Sequence, residues 1–265
     1  MRSTLGTDGY DLGMLDRRGG SIQPLSYARG LARVCLSKGV NLYGDTPATR
    51  IAKERDRWRV ETPDGTVHCN KLVLANNGYT DDVWPGLKEN IVPVASLISA
   101  TKPLSDDIVE QILPGRHAVS DTAGMPVYYR LDERNRMVFG GRGSWTGQIG
   151  NLDTGSLRRS AIKLYPQLVD AEWEFDWGGY VAMTTHHRPL LLNLEQNVWA
   201  GLGYNGRGVA MATMMGKQIS MVLQGKSSGL PIEQSRGIPF HRFNKAGIAA
   251  RMISGRLKDK MTRRL

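Results

Sequence analysis

Residues 197–225, NVWAGLGYNGRGVAMATMMGKQISMVLQG, constrain this chain more than any other stretch. Val198, Trp199 and Ala200 read as a short buried strand. Gly201, Gly203, Gly206 and Gly208 follow. An apolar helix then runs from about Val209 to Leu223, and Gly225 supplies a left-handed cap. Gly208, Ala212 and Gly216 recur four apart on one helical face, which predicts close packing against a neighbour. A strand, a glycine turn and a helix N-terminus present backbone N–H groups and the positive end of a helix dipole. That suits an anion or a polar cofactor edge. On pattern alone, a glycine-rich helix entry with no ligand is the competing reading.

The turn spells Gly201-x-Gly203-x-x-Gly206, the dinucleotide spacing. That fingerprint requires a βαβ unit and an acidic residue roughly 20 positions on. Here the helix runs into Lys226-Ser227-Ser228-Gly229 and a basic tail without a strand. The element is therefore a late strand–turn–helix rather than the opening of a Rossmann domain.

Charge sharpens this. The net charge is +10, but 236–265 carry nine Lys/Arg against Asp259 alone, so the tail holds +8 of it. The rest is nearly neutral, and the tail reads as a solvated helix face rather than a nucleic-acid site. At 265 residues and 40% hydrophobic the chain fits one large soluble domain or two intimate lobes. No apolar run of about 18 residues predicts a membrane span, and 1–13 (MRSTLGTDGYDLG) is no signal peptide. Cys35 and Cys69 make no disulfide framework; they are expected to be buried thiols in a reducing cytoplasm.

Taken in order, residues 1–20 look like loop. Ser26 can cap a helix through Lys38 with Ala28, Leu31, Ala32, Cys35 and Leu36 on its apolar positions, ended by Gly39. Val40–Tyr43 reads as a short strand. Residues 49–52, 58–62 and 66–69 read as a β-meander with Pro63-Asp64-Gly65 as a turn. The run 71–75 (KLVLA) reads as a strand buried on both faces. Residues 91–101 are a long strand, 103–113 a short helix opened by Ser105, and 127–131 with 136–140 a hairpin. A helix follows from 156 to about 165, and 172–183 form another strand. The expected fold is α/β (α+β): part of a nucleotide-binding lobe over 1–90, an antiparallel-sheet lobe over 91–183, a return to the first lobe over 184–230, and the basic tail 231–265.

Together the segments 19–51, 60–87, 92–104, 128–142, 177–191 and 197–217 resemble the D-amino-acid-oxidase-like FAD-dependent oxidoreductases, in particular the γ-glutamylputrescine oxidoreductase branch. The resemblance implies a glutathione-reductase-like FAD lobe, a substrate lobe on an antiparallel sheet, and oxidation of a C–N bond in an amine or amino acid. Hydride would pass to flavin N5, and electrons onward to oxygen or another acceptor. By position, Ala48 resembles the segment meeting the adenine end of FAD. Ala75 and Asn76 resemble the strand tip near its phosphates and ribose. Gly203, Tyr204, Asn205, Gly206, Gly208 and Val209 resemble the turn facing the flavin pyrimidine. The family's first strand, with its own glycine turn, is absent. The expectation is an N-terminally truncated chain, or one whose missing half a second chain supplies; the alternative is a non-catalytic fragment or binding module that cannot hold FAD alone.

Other chemistry is thin. His186 and His187 would point to opposite faces of a strand, and His68, His117 and His241 lack ligand spacing, so no metal is expected. Tyr128, Tyr129, Arg142 and Trp177 sit where they could line a substrate pocket. Alternation sends one tyrosine inward and the other outward, and the sequence does not say which. No acid–base pair stands out, and flavin-dependent amine oxidation often needs none.

Overall fold

A computed structural model describes residues 2–123, 126–143, 149, 152–244, 246–248, 250 and 254. Much of the basic tail, including Lys245, Arg251 and 255–265, lies outside them. The elements in order are α1 (Arg2–Leu5), α2 (Pro24–Ser37), β1 (Arg50–Glu54), β2 (Arg57–Thr62), β3 (Gly65–Cys69), β4 (Leu72–Leu74), β5 (Val92–Thr101), α3 (Asp106–Gln111), β6 (Val119–Ser120), β7 (Val127–Leu131), β8 (Met137–Arg142), α4 (Gly155–Leu164), β9 (Trp173–Met183), β10 (Leu190–Glu195), β11 (Val198–Leu202), α5 (Gly208–Leu223) and β12 (Ile232–Gln234). This is the mixed helix-and-sheet architecture the sequence implies. The described residues fall into two compact units: 24–94 with 180–244, and 95–179 with the residues up to 23 and those described beyond 244.

In the second of these, a sheet runs in the order β6-β7-β8-β5-β9. The expected hairpin is its middle, with Leu131 opposite Met137 and Tyr129 opposite Phe139. Alternation turns Tyr129, Leu131, Met137 and Phe139 to one face, where they meet Leu157 and Ala161 of α4 and Ile112 and Leu113. Tyr129 stacks on Phe139 at 5.2 Å between ring centroids and meets Tyr165 edge-on. Residues 1–20 are not all loop: Leu5 is buried in this core. Its carbonyl accepts bonds from the Leu113 N–H at 3.1 Å and the Tyr165 hydroxyl at 2.8 Å. Those bonds hold a helix too short to stand alone.

The other unit holds the meander β1-β2-β3 and a four-stranded sheet in the order β12-β10-β11-β4. Trp58 of the meander is buried against Trp84, with 5.4 Å between centroids, and its indole N–H donates to the Gln196 carbonyl. Around it, Leu74, Ile91, Leu192, Val198 and Ala200 form the core. A second apolar cluster, Leu191, Tyr204, Met215 and Ile219, seats α5 on the sheet.

Several expectations change. Val40–Tyr43 forms no strand: a strand is a pairing, and no described residue pairs with it. β4 is not buried on both faces; it lies at the sheet edge and leaves Val73 37% exposed. β10 and the three-residue β12 went unread. β12 pairs in parallel with β10 through Leu191–Ile232, so a strand does follow α5. Cys35 and Cys69 are half-buried rather than buried, and both are free thiols. His186 and His187 lie on a turn rather than a strand. The close packing expected of the α5 face bearing Gly208, Ala212 and Gly216 is not seen at its far end: Ala212 and Gly216 are exposed, and a Cβ at Gly216 would meet nothing within 4 Å.

Two outcomes follow from the packing. Phe139→Ala empties a fully buried ring site and lowers stability by about 3–5 kcal/mol in urea unfolding. Burial pushes the Asp176 carboxyl up, but hydrogen bonds from Ser99 and Thr154 and the Arg158 charge outweigh that and hold it below the ordinary carboxylate range. A depressed carboxylate stabilises above its unfolded pKa, about 3.9, and loses the contribution as pH falls through the folded value. Urea midpoints of the parent should therefore exceed those of Asp176→Asn at pH 7 and converge with them below about pH 4.

Candidate functional site

β4 and β11 run in parallel, pairing Leu72–Val198, Val73–Trp199 and Leu74–Ala200. Their C-terminal tips therefore sit side by side. The tip of β4 continues into Ala75, Asn76 and Asn77; that of β11 continues into the turn 203–207. Parallel strands with a helix leaving one tip are the ordinary setting for a ligand in α/β sheets.

Two asparagines hold the turn. Asn77, itself left-handed at φ +47°, accepts the Gly203 N–H on its Oδ1 at 2.9 Å. Asn205, at φ +52°, is held from both ends. Its N–H donates to the Ala182 carbonyl, its Oδ1 accepts the Thr184 N–H at 2.9 Å, and its Nδ2 donates to Thr184 Oγ1 and the Gly203 carbonyl. Asparagine tolerates this backbone region because its short amide can satisfy local groups. Gly203 has φ +78°, and a Cβ there would lie 2.4 Å from Thr184 Cγ2. Gly206 has φ +84° but faces open space. Gly201 lets α5 approach: a Cβ there would come 2.5 Å from Met215 Cγ.

Beyond the turn, α5 opens at Arg207 with no side-chain cap on its first turn. Gly206, Arg207, Val209 and Ala210 are exposed and Gly208 is half-buried. Uncapped first-turn N–H groups beside a glycine with empty space form a cradle for an anionic or polar edge. Tyr204 points the other way. It is buried, its hydroxyl donates to the Gly201 carbonyl at 3.0 Å, and burial pushes its pKa up to about 12. It offers the turn its backbone, not its phenol.

The structure thus brings Ala75, Asn76, Gly203, Asn205, Gly206, Gly208 and Val209 to one end of the sheet. Ala48 stands on the exposed loop ahead of β1. Asn77 and Thr184 went unread; an Asn-Gly pair closing a strand was the signal for the first. A cavity of about 820 Å³ lined by Lys88, Ile91, Pro93, Ile238 and His241 shares no residue with the turn.

The other candidates lie in the other unit. Tyr129 is the inward tyrosine, 2% exposed within the core. Tyr128 faces the opposite side of the sheet: its hydroxyl bonds to Ser96 Oγ and its ring covers Gly140. Burial raises its pKa, partly offset by that hydrogen bond. Arg142 pairs with Ser96 across the ladder, so it shares that face. Gly178 backs onto Leu97 on the core side, which puts neighbouring Trp177, 42% exposed, on the Tyr128 face.

A family described as FAD dependent oxidoreductase matches residues 2–221. A probable oxidoreductase OrdL of Rhizobium meliloti is 33% identical over 237 residues, covering 89% of this chain and 55% of that protein. The γ-glutamylputrescine oxidoreductase of Escherichia coli is 29% identical over 231 residues, 85% of this chain and 53% of its own. The chain spans about half the length of the curated relatives it matches. Glycine oxidase from Geobacillus kaustophilus superposes with a TM-score of 0.65 at 19% identity, over 77% of this chain and 55% of that one, a likeness of fold.

The turn itself yields a graded expectation. Gly206→Ala bears only the left-handed backbone cost, whereas Gly203→Ala adds the overlap with Thr184. Thermal or urea unfolding should rank them so, with Gly203→Ala losing about 1–3 kcal/mol or more and Gly206→Ala less.

Proposed function

The chain belongs to the family of FAD-dependent oxidoreductases, and from that premise we propose that it serves an enzyme oxidising the C–N bond of an amine or amino acid, with its 203–209 turn against the flavin. The observation carrying this is the uncapped N-terminus of α5, opened by a turn that two asparagines make rigid. Bound FAD would supply the acceptor for the hydride removed from the substrate. The chain's part would be to hold and polarise. The N–H groups of Gly208 and Val209 and the helix dipole would stabilise negative charge at the cofactor's pyrimidine edge. Gly206 leaves room for a close approach, and the side chain of Asn205, spent on Thr184 and Gly203, keeps the donors from shifting. Ala75, Asn76 and Ala48 are the proposed contacts for the rest of the cofactor. Tyr128, Arg142 and Trp177 are proposed on the substrate side; a guanidinium there would suit the carboxylate of an amino acid or γ-glutamyl amine. Tyr129 would act on that site only by fixing the sheet.

Substrates of the γ-glutamylputrescine or glycine kind are proposed from the relatives' names alone. Free, half-exposed thiols support a reducing cytoplasmic setting. No helix among the described residues is long and apolar enough to cross a membrane. A second reading, that the chain alone does not retain FAD, is favoured by the edge of β4, unpaired among the described residues, next to the proposed phosphate contacts.

FAD titration followed by gel filtration separates the two. Flavin absorbance co-eluting with the protein, bleached anaerobically by γ-glutamylputrescine or glycine and weakened about tenfold or more in affinity by Gly206→Val, is the expected result. Colourless, folded protein gives the second reading.

A further inference from the structure

In the unit that carries the turn, the segment after β12 folds back onto the stretch before β5. Asn90, 5% exposed, donates from Nδ2 to Ser235 Oγ at 2.8 Å and accepts the Arg236 N–H on Oδ1 at 3.0 Å. The Ile238 N–H donates to the Glu89 carbonyl at 2.8 Å. The His241 ring donates from Nε2 to the Ile91 carbonyl at 2.8 Å, which leaves Nδ1 an acceptor in the neutral ring. These two segments line the cavity of about 820 Å³, and all of its lining residues belong to this one unit.

Its lining is of three kinds. Ile91, Pro93 and Ile238 make an apolar wall. Phe240 adds a ring that is 80% exposed, on a backbone at φ +58°. A bulky residue is strained in that region, and such strain collects at ligand clamps. The charges are the third kind. Lys88 is occupied by Asp82, 2.6 Å away. Glu89 and Arg242 line the same cavity, and among the described residues neither forms an ion pair. Arg242 lies instead over the Phe243 ring, 4.8 Å from its centroid.

That remainder selects a ligand. A purely anionic molecule would meet Glu89, and a purely cationic one Arg242. One carboxylate and one guanidinium beside an apolar wall match a molecule that carries both charges on an apolar body. A cavity of this size takes a molecule larger than one amino acid.

We propose that this cavity is a binding site for a short zwitterionic peptide with apolar side chains, separate from the turn at 203–209. The peptide's carboxylate pairs with Arg242 and its ammonium with Glu89, the neutral His241 ring offering a further acceptor. Its side chains rest on Ile91, Pro93 and Ile238 beside the Phe240 ring. Bound there, it bridges the two segments that Asn90 clasps. The proposal goes beyond the flavin reading and does not need it, since the cavity shares no residue with the turn.

The probe is the dipeptide leucyl-phenylalanine, titrated calorimetrically into the 265-residue chain without flavin. Saturable one-to-one binding is expected, with the N-acetylated and the C-amidated dipeptides each weaker by about tenfold or more. Glu89→Gln should weaken the free dipeptide about tenfold and leave the N-acetylated form unchanged, and Arg242→Gln should weaken the free dipeptide likewise and leave the amidated form unchanged. Hydrogen exchange at the Ile238 amide should slow on binding. No saturable binding, blocked dipeptides that bind as well as the free one, or variants that weaken all three alike overturns the proposal. The blocked dipeptides test it on the parent protein, so a variant that fails to fold does not shield it. Flavin enters none of these readouts, so failure here is distinct from failure to bind FAD.

Discussion

Leu72 against Val198, Val73 against Trp199, Leu74 against Ala200: this short parallel ladder is what the candidate site depends on. It sets two chain segments far apart in the sequence side by side, tip to tip. Asn77 can reach the Gly203 amide only because of that alignment, and the open N-terminus of α5 is aimed by the turn that Asn77 pins. The buried residues beneath, Leu74, Val198, Ala200 and Leu202, hold the ladder in register by excluding water from one side. Site and core are therefore one construction in this unit, not a loop laid on a scaffold.

Much of this was legible. The four glycines, the apolar strand before them and the helix capped by Gly225 were all readable, and Gly225 takes φ +72° as such a cap does. The meander and the 127–142 hairpin were readable too, since each combines period-two alternation with a turn of definite chemistry. What escaped depends on pairings the local pattern does not carry. β12 is three residues long and exists because β10 lies beside it. Val40–Tyr43 has strand composition and finds no strand to pair with among the described residues. The run at 72–74 has the composition of a central strand and occupies an edge. In each case propensity states what a segment can be, and the number of its neighbours decides.

The proposed substrate face shows the same division. Alternation stated that Tyr128 and Tyr129 part company but not which way. Packing decides it: Tyr129 has an aromatic partner on each side in Phe139 and Tyr165, and Tyr128 closes over the bare backbone of Gly140. Asn77 was hidden for a different reason. Its role lies in one side-chain oxygen accepting an amide 126 residues further along the chain, and nothing near it in sequence speaks of that distance.

That span has a kinetic side. The meander and the hairpin close between near neighbours and can form early, whereas residue 72 must await residue 198. Ladders of such separation form late, because the loop's entropy is lost before any contact repays it. During synthesis the lone apolar strand at 72–74 would emerge well before its partner, so it spends that interval unpaired. The segment on which the finished site rests is thus also one long exposed to wrong partners on the way to it.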